Sequence, residues 1–218
     1  NNDKTVSVAA NGVCFTNEFK GVIPEIIDEY YGNRSVIKKK MLGVEQALEN
    51  ATDPKEKEAL KREANNLHNQ QMAIKILLNS LYGALGNRWF RYFDMRMAEG
   101  ITLSGQLAIK WSERCVNTEM NKIMGTEKVD YVIAMDTDSL YVNFGPLVKK
   151  FAPKDPVKFL DKICGEHFQD NLNVAYDKLF TCMNAYKNRM VMEREGISDN
   201  KFLVRIYVPI SVCQTCHS

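Results

Sequence analysis

The chain has 218 residues, 45% of them hydrophobic and 26% charged. That is enough apolar material for one large or two small domains, and it excludes an intrinsically disordered chain. Lys and Arg number 29 against 27 for Asp and Glu, so net charge alone gives no reason to expect a nucleic-acid partner, and any such claim rests on local patches. No stretch of about 18 apolar residues and no basic-then-apolar leader are seen, so no membrane partner and a cytoplasmic setting are expected. The first residue is Asn1 rather than Met, which suggests a chain processed or cut from something longer. Six cysteines stand at 14, 115, 164, 182, 213 and 216. The first four are scattered singly, so reduced thiols are expected rather than a disulfide framework.

Residues 1–20 alternate short apolar stretches, Val6 to Val8 and Val13 to Phe15, about the turn signal Asn11-Gly12, and predict a small hairpin. Ile23, Ile27, Tyr30, Ile37, Met41, Val44 and Leu48 then recur at three-four spacing, behind Pro24 as a first-turn residue and Glu25 where the helix dipole favours an acid. This predicts a long helix. Asp53 can cap a second one, with Pro54 in its first turn and Glu56 at the acidic position of a capping box. Its stripe of Leu60, Ala64, Leu67, Ile74, Leu78 and Leu81 is interrupted only by Gln71, and Gly83 and Gly86 end it. Two such helices joined by a short polar connector make a helical hairpin.

The aromatic stretch Arg88 to Phe93 is expected to be extended, and Ala98 to Met124 to be a third long helix closed by Gly125. Val129 to Met135 and Leu140 to Phe144 predict a β-hairpin with Asp136-Thr137-Asp138 at its tip. A fourth helix is expected from about Pro156 to Met183 and a strand at Arg189 to Glu193. The tail, residues 199–218, lacks the helical and strand grammar of the rest and is left unassigned.

Two carboxylates one residue apart in a turn between apolar strands need a counter-charge, and a hard divalent cation such as magnesium takes carboxylate oxygens. Aspartate is also common at hairpin tips merely as a solvated turn residue. On the second helix Lys75, Asn79 and Tyr82 share one strip of surface, since residues three and four apart lie on one face. An ammonium for phosphates and an aromatic ring beside a base suit a nucleotide. Arg34 replaces an apolar residue in the first helix's stripe, with Lys38 one turn on. Both can join Lys75 around a triphosphate, although a basic cluster on a helix is more often a solvated face.

The stretch Lys75-Ile-Leu-Leu-Asn79-Ser80-Leu-Tyr82-Gly83, followed by Asp136-Thr137-Asp138-Ser139, resembles the fingers and palm signatures of family B DNA polymerases. The longer run to Asn87, with Phe90-Arg-Tyr-Phe-Asp94 behind it, is most similar to the replicative polymerases of tailed bacteriophages. Arg34 and Lys38 fit that branch's first fingers helix, and Met192-Glu193-Arg-Glu195 resembles its later acidic palm strand. The resemblance covers residues 10 to 198. It implies an α+β fold, a partial polymerase palm of antiparallel sheet and packed helices with an inserted fingers helical hairpin. The implied domains are a connector at 1–20, the fingers hairpin at 21–87, the partial palm at 88–198 and the divergent tail at 199–218.

The implied chemistry is DNA-directed DNA synthesis by two-metal phosphoryl transfer, with two magnesium ions as cofactors and primer-template DNA and deoxynucleoside triphosphates as partners. Asp136 and Asp138 become the catalytic metal-site residues. Arg34, Lys38 and Lys75 bind the incoming triphosphate, Asn79 orders the site, Tyr82 packs beside the nascent base pair, and Gly83 lets that pair approach. Glu193 and Glu195 are further palm acids, or else members of surface ion pairs.

Three features depart from the family pattern. The Asp-x-x-Ser-Leu-Tyr-Pro motif carrying its other indispensable aspartate is absent, so an upstream polymerase segment is an expected partner and the isolated chain is expected to be inactive. Met135 stands where the family has glycine before the acid triplet. After Ser198 neither the Lys-Lys-Arg-Tyr primer contact nor a thumb appears. The alternative class is a DNA- or nucleotide-binding remnant without catalysis. The Cys213-x-x-Cys216-His217 string has the form of a c-type haem attachment, but haem needs a pocket and export, and zinc needs a fourth ligand.

Overall fold

The computed structural model describes residues 5–136, 139–188, 190, 193–198 and 203–207. The architecture is α+β and dominated by helix, with two small antiparallel sheets. The chain divides into two compact units, one holding the first 19 residues and nearly everything from Glu99 onward, the other spanning Lys20–Ala98.

The Lys20–Ala98 unit is built on two long helices, α1 (Val22–Asn50) and α2 (Pro54–Leu85). Asp53 caps α2, its carboxylate accepting from the Lys55 amide at 3.4 Å, with Pro54 in the first turn. The three-residue connector forces the helices antiparallel, and each buries only the stripe facing the other. Met41 of α1 and Ala64 and Gln71 of α2 are buried in this unit, as is Leu85 at the far end of α2. Along the antiparallel pair Met41 stands within one residue of the level of Ala64, and Arg34 within one of the level of Gln71. Downstream of α2, the stretch expected to be extended is a run of tight turns instead. The Phe90 amide donates to Asn87 O at 2.8 Å and the Phe93 amide to Phe90 O at 3.0 Å. Asn87 and Asp94 drive this by bonding the amides of Trp89 and Arg96 with their own side chains, which a strand ladder would not permit.

In the other unit, β1 (Val6–Val8) pairs with β2 (Cys14–Thr16) about the expected Asn11-Gly12 turn, where Gly12 has φ +81. Helix α3 (Met95–Met124) lies at the centre of a core that includes Val116, Met120, Leu140, Val142, Phe144, Leu160, Phe168 and Tyr176. β3 (Val132–Asp136) and β4 (Ser139–Asn143) form the acid-bearing hairpin. α4 (Gly145–Phe151) and α5 (Pro156–Ile163) follow, and a π-helical turn at Cys164–Phe168 joins α5 to α6 (Gln169–Met183). The expected fourth helix is thus continuous over 156–183 but underwound in its middle, where Cys164 and Phe168 are buried in the core. Phe168 meets Phe144 edge-on, with ring centroids 5.1 Å apart.

Two strands differ from expectation. β5 runs Glu193–Ser198, later than the expected strand, of which Arg189, Val191 and Met192 lie outside the described residues. β6 (Leu203–Tyr207) lies inside the tail that the sequence reading left without strand grammar. The sheet order is β3-β4-β6-β5, all antiparallel, so the unassigned tail supplies an interior strand. Leu203, Val204, Ile206 and Tyr207 fit such a position, the apolar run being broken only by Arg205, so this strand's signal was present in the sequence and was missed. The cysteine-rich end of the tail lies outside the described residues.

Candidate acid hairpin and helical face

The position of Asp136 is set from α3. Gly125, at φ +71, ends that helix, and the chain turns back through residues 126–131. Asn121 donates to Val129 O at 2.7 Å and accepts from the Val129 amide at 3.0 Å and from the Thr126 hydroxyl at 2.8 Å. One turn earlier Asn117 accepts from the Tyr131 amide and donates to the Asp130 carboxylate, both at 2.8 Å. Lys150, from α4, donates to the last carbonyls of α3, Ile123 O at 2.7 Å and Met124 O at 3.3 Å. Charge of this sign at a helix C-terminus is favourable, and it ties the start of the hairpin to the end of α3. Ser139, Leu140 and Val142 bury β4 in the core, while β3 is exposed from Ile133 to Asp136, so β4 anchors the hairpin and the end of β3 is presented.

At the tip Asp136 is exposed and pairs in register with Ser139, whose hydroxyl donates to Asp136 O at 3.2 Å. Asp138 lies outside the described residues. Met135, beside the turn, is 41% exposed and paired with Leu140, so its side chain stands clear of the core. Glu193 and Glu195 are on β5, and their side chains are not described.

In the helical unit Lys75, Asn79, Tyr82 and Gly83 are all exposed on α2, as is Lys38 on α1. Arg34 is half-buried, and its Nε atom is buried with no hydrogen-bond partner. A guanidinium left short of an acceptor at a seam is a ready anion ligand. By residue count along the antiparallel pair, Arg34 and Lys75 are about 8 Å apart in axial height. At Gly83 an added Cβ would meet nothing within 4 Å. Neither backbone angle nor internal packing demands glycine there, although glycine costs about 0.5–1 kcal/mol inside a helix.

Pattern reading did not single out Asn117 and Asn121 as site-positioning residues. Their signal is an i, i+4 pair of asparagines just before the Gly125 stop and an apolar β-branched run. It also gave no role to the turn at 88–93, where Trp89 is 89% exposed and the Arg91 guanidinium sits 5.8 Å from the centre of the Tyr92 ring.

The donor chemistry fits a hard divalent cation in kind. Asp136 offers carboxylate oxygen, and magnesium is held by one or two protein carboxylates with water and substrate phosphate completing its shell. Among the described residues no three His, Cys, Asp or Glu converge into a complete metal cage. Among the same residues no helix is long and apolar enough to cross a membrane.

Comparison with known proteins gives the family. The DNA polymerase family B profile matches residues 1–187. The chain is 39% identical over 147 residues to the DNA-directed DNA polymerase of Enterobacteria phage T4, covering 65% of this chain and 16% of that protein. It is 41% identical over 134 residues to the DNA-directed DNA polymerase of Escherichia phage RB69, covering 59% of this chain and 15% of that protein. With the DNA polymerase delta catalytic subunit of Oryza sativa subsp. japonica it shares 28% identity over 161 residues, 74% of this chain and 13% of that protein. The matched region spans about one-sixth of the length of the two phage relatives. With the match running from the first hairpin through α6, this chain belongs to the family B DNA polymerases.

Proposed function

We propose that the chain is a working segment of a DNA-directed DNA polymerase, comprising the fingers hairpin and part of the palm, and that an upstream polymerase segment supplies the aspartate motif missing here. The observation that carries this reading is the family match across the exposed strip Lys75, Asn79, Tyr82 and Gly83 on α2 and the exposed acid at the end of β3.

Each residue has a physical task. Arg34, Lys38 and Lys75 bind the triphosphate of an incoming deoxynucleotide. The half-buried guanidinium of Arg34 gains the acceptor that its buried Nε lacks. Asn79 orders this face, the Tyr82 ring packs beside the new base pair, and Gly83 leaves the helix bare where that pair approaches. Asp136 and Asp138 would hold magnesium, with Glu193 and Glu195 as accessory acids. When bound, two such ions lower the pKa of the primer 3′-hydroxyl and neutralise the charge on the departing pyrophosphate. The exposed arginine-aromatic turn at 88–93 suits a nucleic-acid partner, because stacked rings and guanidinium planes take unpaired bases without regard to sequence.

The test is primer extension by this chain mixed with a polymerase segment carrying the absent motif. Extension is expected in the mixture and absent from either part alone, and Asp138→Ala is expected to abolish it with folding intact. DNA binding without extension in the mixture would establish the non-catalytic remnant instead. Normal extension by Asp138→Ala would remove the metal role.

A further inference from the structure

We infer that β6, the strand inside the unassigned tail, is a positioning element of the acid site. It fixes β4 behind the turn and seats Glu193 in the same cross-strand row as Asp136. The inference starts from sheet order. β6 lies between β4 and β5, so among the described residues β5 reaches the acid hairpin only through it. The register makes the link specific. Asp136 pairs with Ser139, Ser139 with Tyr207, and Tyr207 with Glu193. With neighbouring strands about 4.8 Å apart, the backbones of Ser139 and Glu193 stand roughly 10 Å from each other in one row.

The demand for β6 is also energetic. Ser139, Leu140 and Val142 of β4 are buried. Without β6, the β4 backbone groups on that side would be left unpaired beside the core, where an unsatisfied amide is costly. The acid hairpin would then be a two-stranded ribbon, which is marginal by itself. The family profile stops at residue 187, so β5 and β6 both lie beyond the matched stretch. The tail has therefore supplied an interior strand in a sequence that carries no family signature.

The effect on synthesis rests on the function proposed above, whereas the strand itself does not. In the unaltered full chain, nuclear Overhauser contacts are expected between Leu140 and Ile206 and between Arg194 and Ile206, the register partners on either side of β6. Val204→Pro deletes a ladder donor from this interior strand. It is expected to raise hydrogen exchange at least tenfold at those β4 amides that face β6, leaving those that face β3 protected. In the extending mixture, the same variant is expected to raise the magnesium concentration for half-maximal rate about tenfold with an unchanged nucleotide KM, as loss of outer-shell support does. Val204→Ile should match the unaltered chain in every respect.

Absence of the Ile206 contacts, or equal β4 exchange in Val204→Pro, overturns the strand assignment. An unchanged magnesium requirement overturns the positioning role. Should Val204→Pro fail to fold, the contacts in the unaltered chain decide. Failure of the unaltered mixture to extend, with those contacts present, refutes the polymerase reading and leaves the strand in place.

Discussion

Asn121 holds Val129 through both ends of its side-chain amide, donating to the carbonyl at 2.7 Å and accepting from the amide at 3.0 Å. This is the mould in which the approach to β3 is cast, because holding the amide and the carbonyl of one residue fixes the two peptide planes on either side of its Cα. With the Thr126 hydroxyl also bonded, one side chain fixes the return from α3 to the acid hairpin. Asn121→Ala is expected to destabilise the fold by about 2 kcal/mol, several partly exposed hydrogen bonds at roughly 0.5–1.5 kcal/mol each. Urea denaturation followed by far-UV circular dichroism measures it. A loss under about 0.5 kcal/mol would mean that the core residues of β4 alone set the hairpin.

Gly83 separates stability from function. Since a Cβ there meets nothing within 4 Å, Gly83→Ala is expected to stabilise the α1–α2 pair by about 0.5–1 kcal/mol. The proposed approach of a base pair predicts that the same methyl group slows nucleotide incorporation in the completed polymerase. A variant both more stable and fully active would show that the surface is not approached.

Lys75→Ala tests the triphosphate contact. A charge-assisted hydrogen bond contributes about 1.5–3 kcal/mol, so the nucleotide KM is expected to rise about tenfold or more while DNA affinity holds. An unchanged KM would make Lys75 an ordinary solvated lysine.

The helices were legible because their signals are local. Proline and aspartate at the start of α2, the three-four stripe and the glycines that end it all lie within the element they describe. The acid hairpin was legible because β-branched runs flank a turn. What escaped depends on distant partners. The turn at 88–93 carries strand-like aromatics, yet the side chains of Asn87 and Asp94 capture neighbouring amides and curl it. The five residues of β6 are themselves strand formers, but its interior place in the sheet is set by its two neighbours. On the candidate site, Lys75, Asn79 and Tyr82 could be put on one strip by helical spacing alone. The buried, partnerless Nε of Arg34 needed the packed seam to be seen.

The start of α3 is expected to respond to acid. The side-chain hydrogen bond from Arg96 holds the Asp94 carboxyl below its ordinary value of 3.8, with burial opposing and the Arg96 amide and charge assisting. A carboxyl depressed by folding stabilises the structure above the unfolded pKa, and that contribution fades as pH falls through the lowered folded value. The first turn of α3 should therefore be intact at pH 5 and loosen below about pH 4, near the unfolded aspartate value. Hydrogen exchange at Met97 and Ala98, whose amides donate to Asp94 O, reports this directly. Asp94→Asn should abolish the acid dependence, and an identical pH profile in that variant would assign the loosening to another group.

Thiol chemistry provides a graded probe of the larger unit. Cys14 and Cys182 are exposed, Cys115 is partly covered, and Cys164 is buried on the π-helical turn. Burial pushes the Cys164 thiol up to about 12, the nearby Arg194 charge opposing and Asp161 adding to the rise. Burial also raises Cys115, with the charge of Glu119 adding and Lys178 opposing. Because the thiolate is the reactive form, alkylation by iodoacetamide at pH 8 should modify Cys14 and Cys182 first, Cys115 more slowly, and Cys164 only on unfolding. Peptide mapping by mass spectrometry reads the order. Rapid native labelling of Cys164 would show that the π turn opens far more readily than its packing against Phe144 and Leu160 implies.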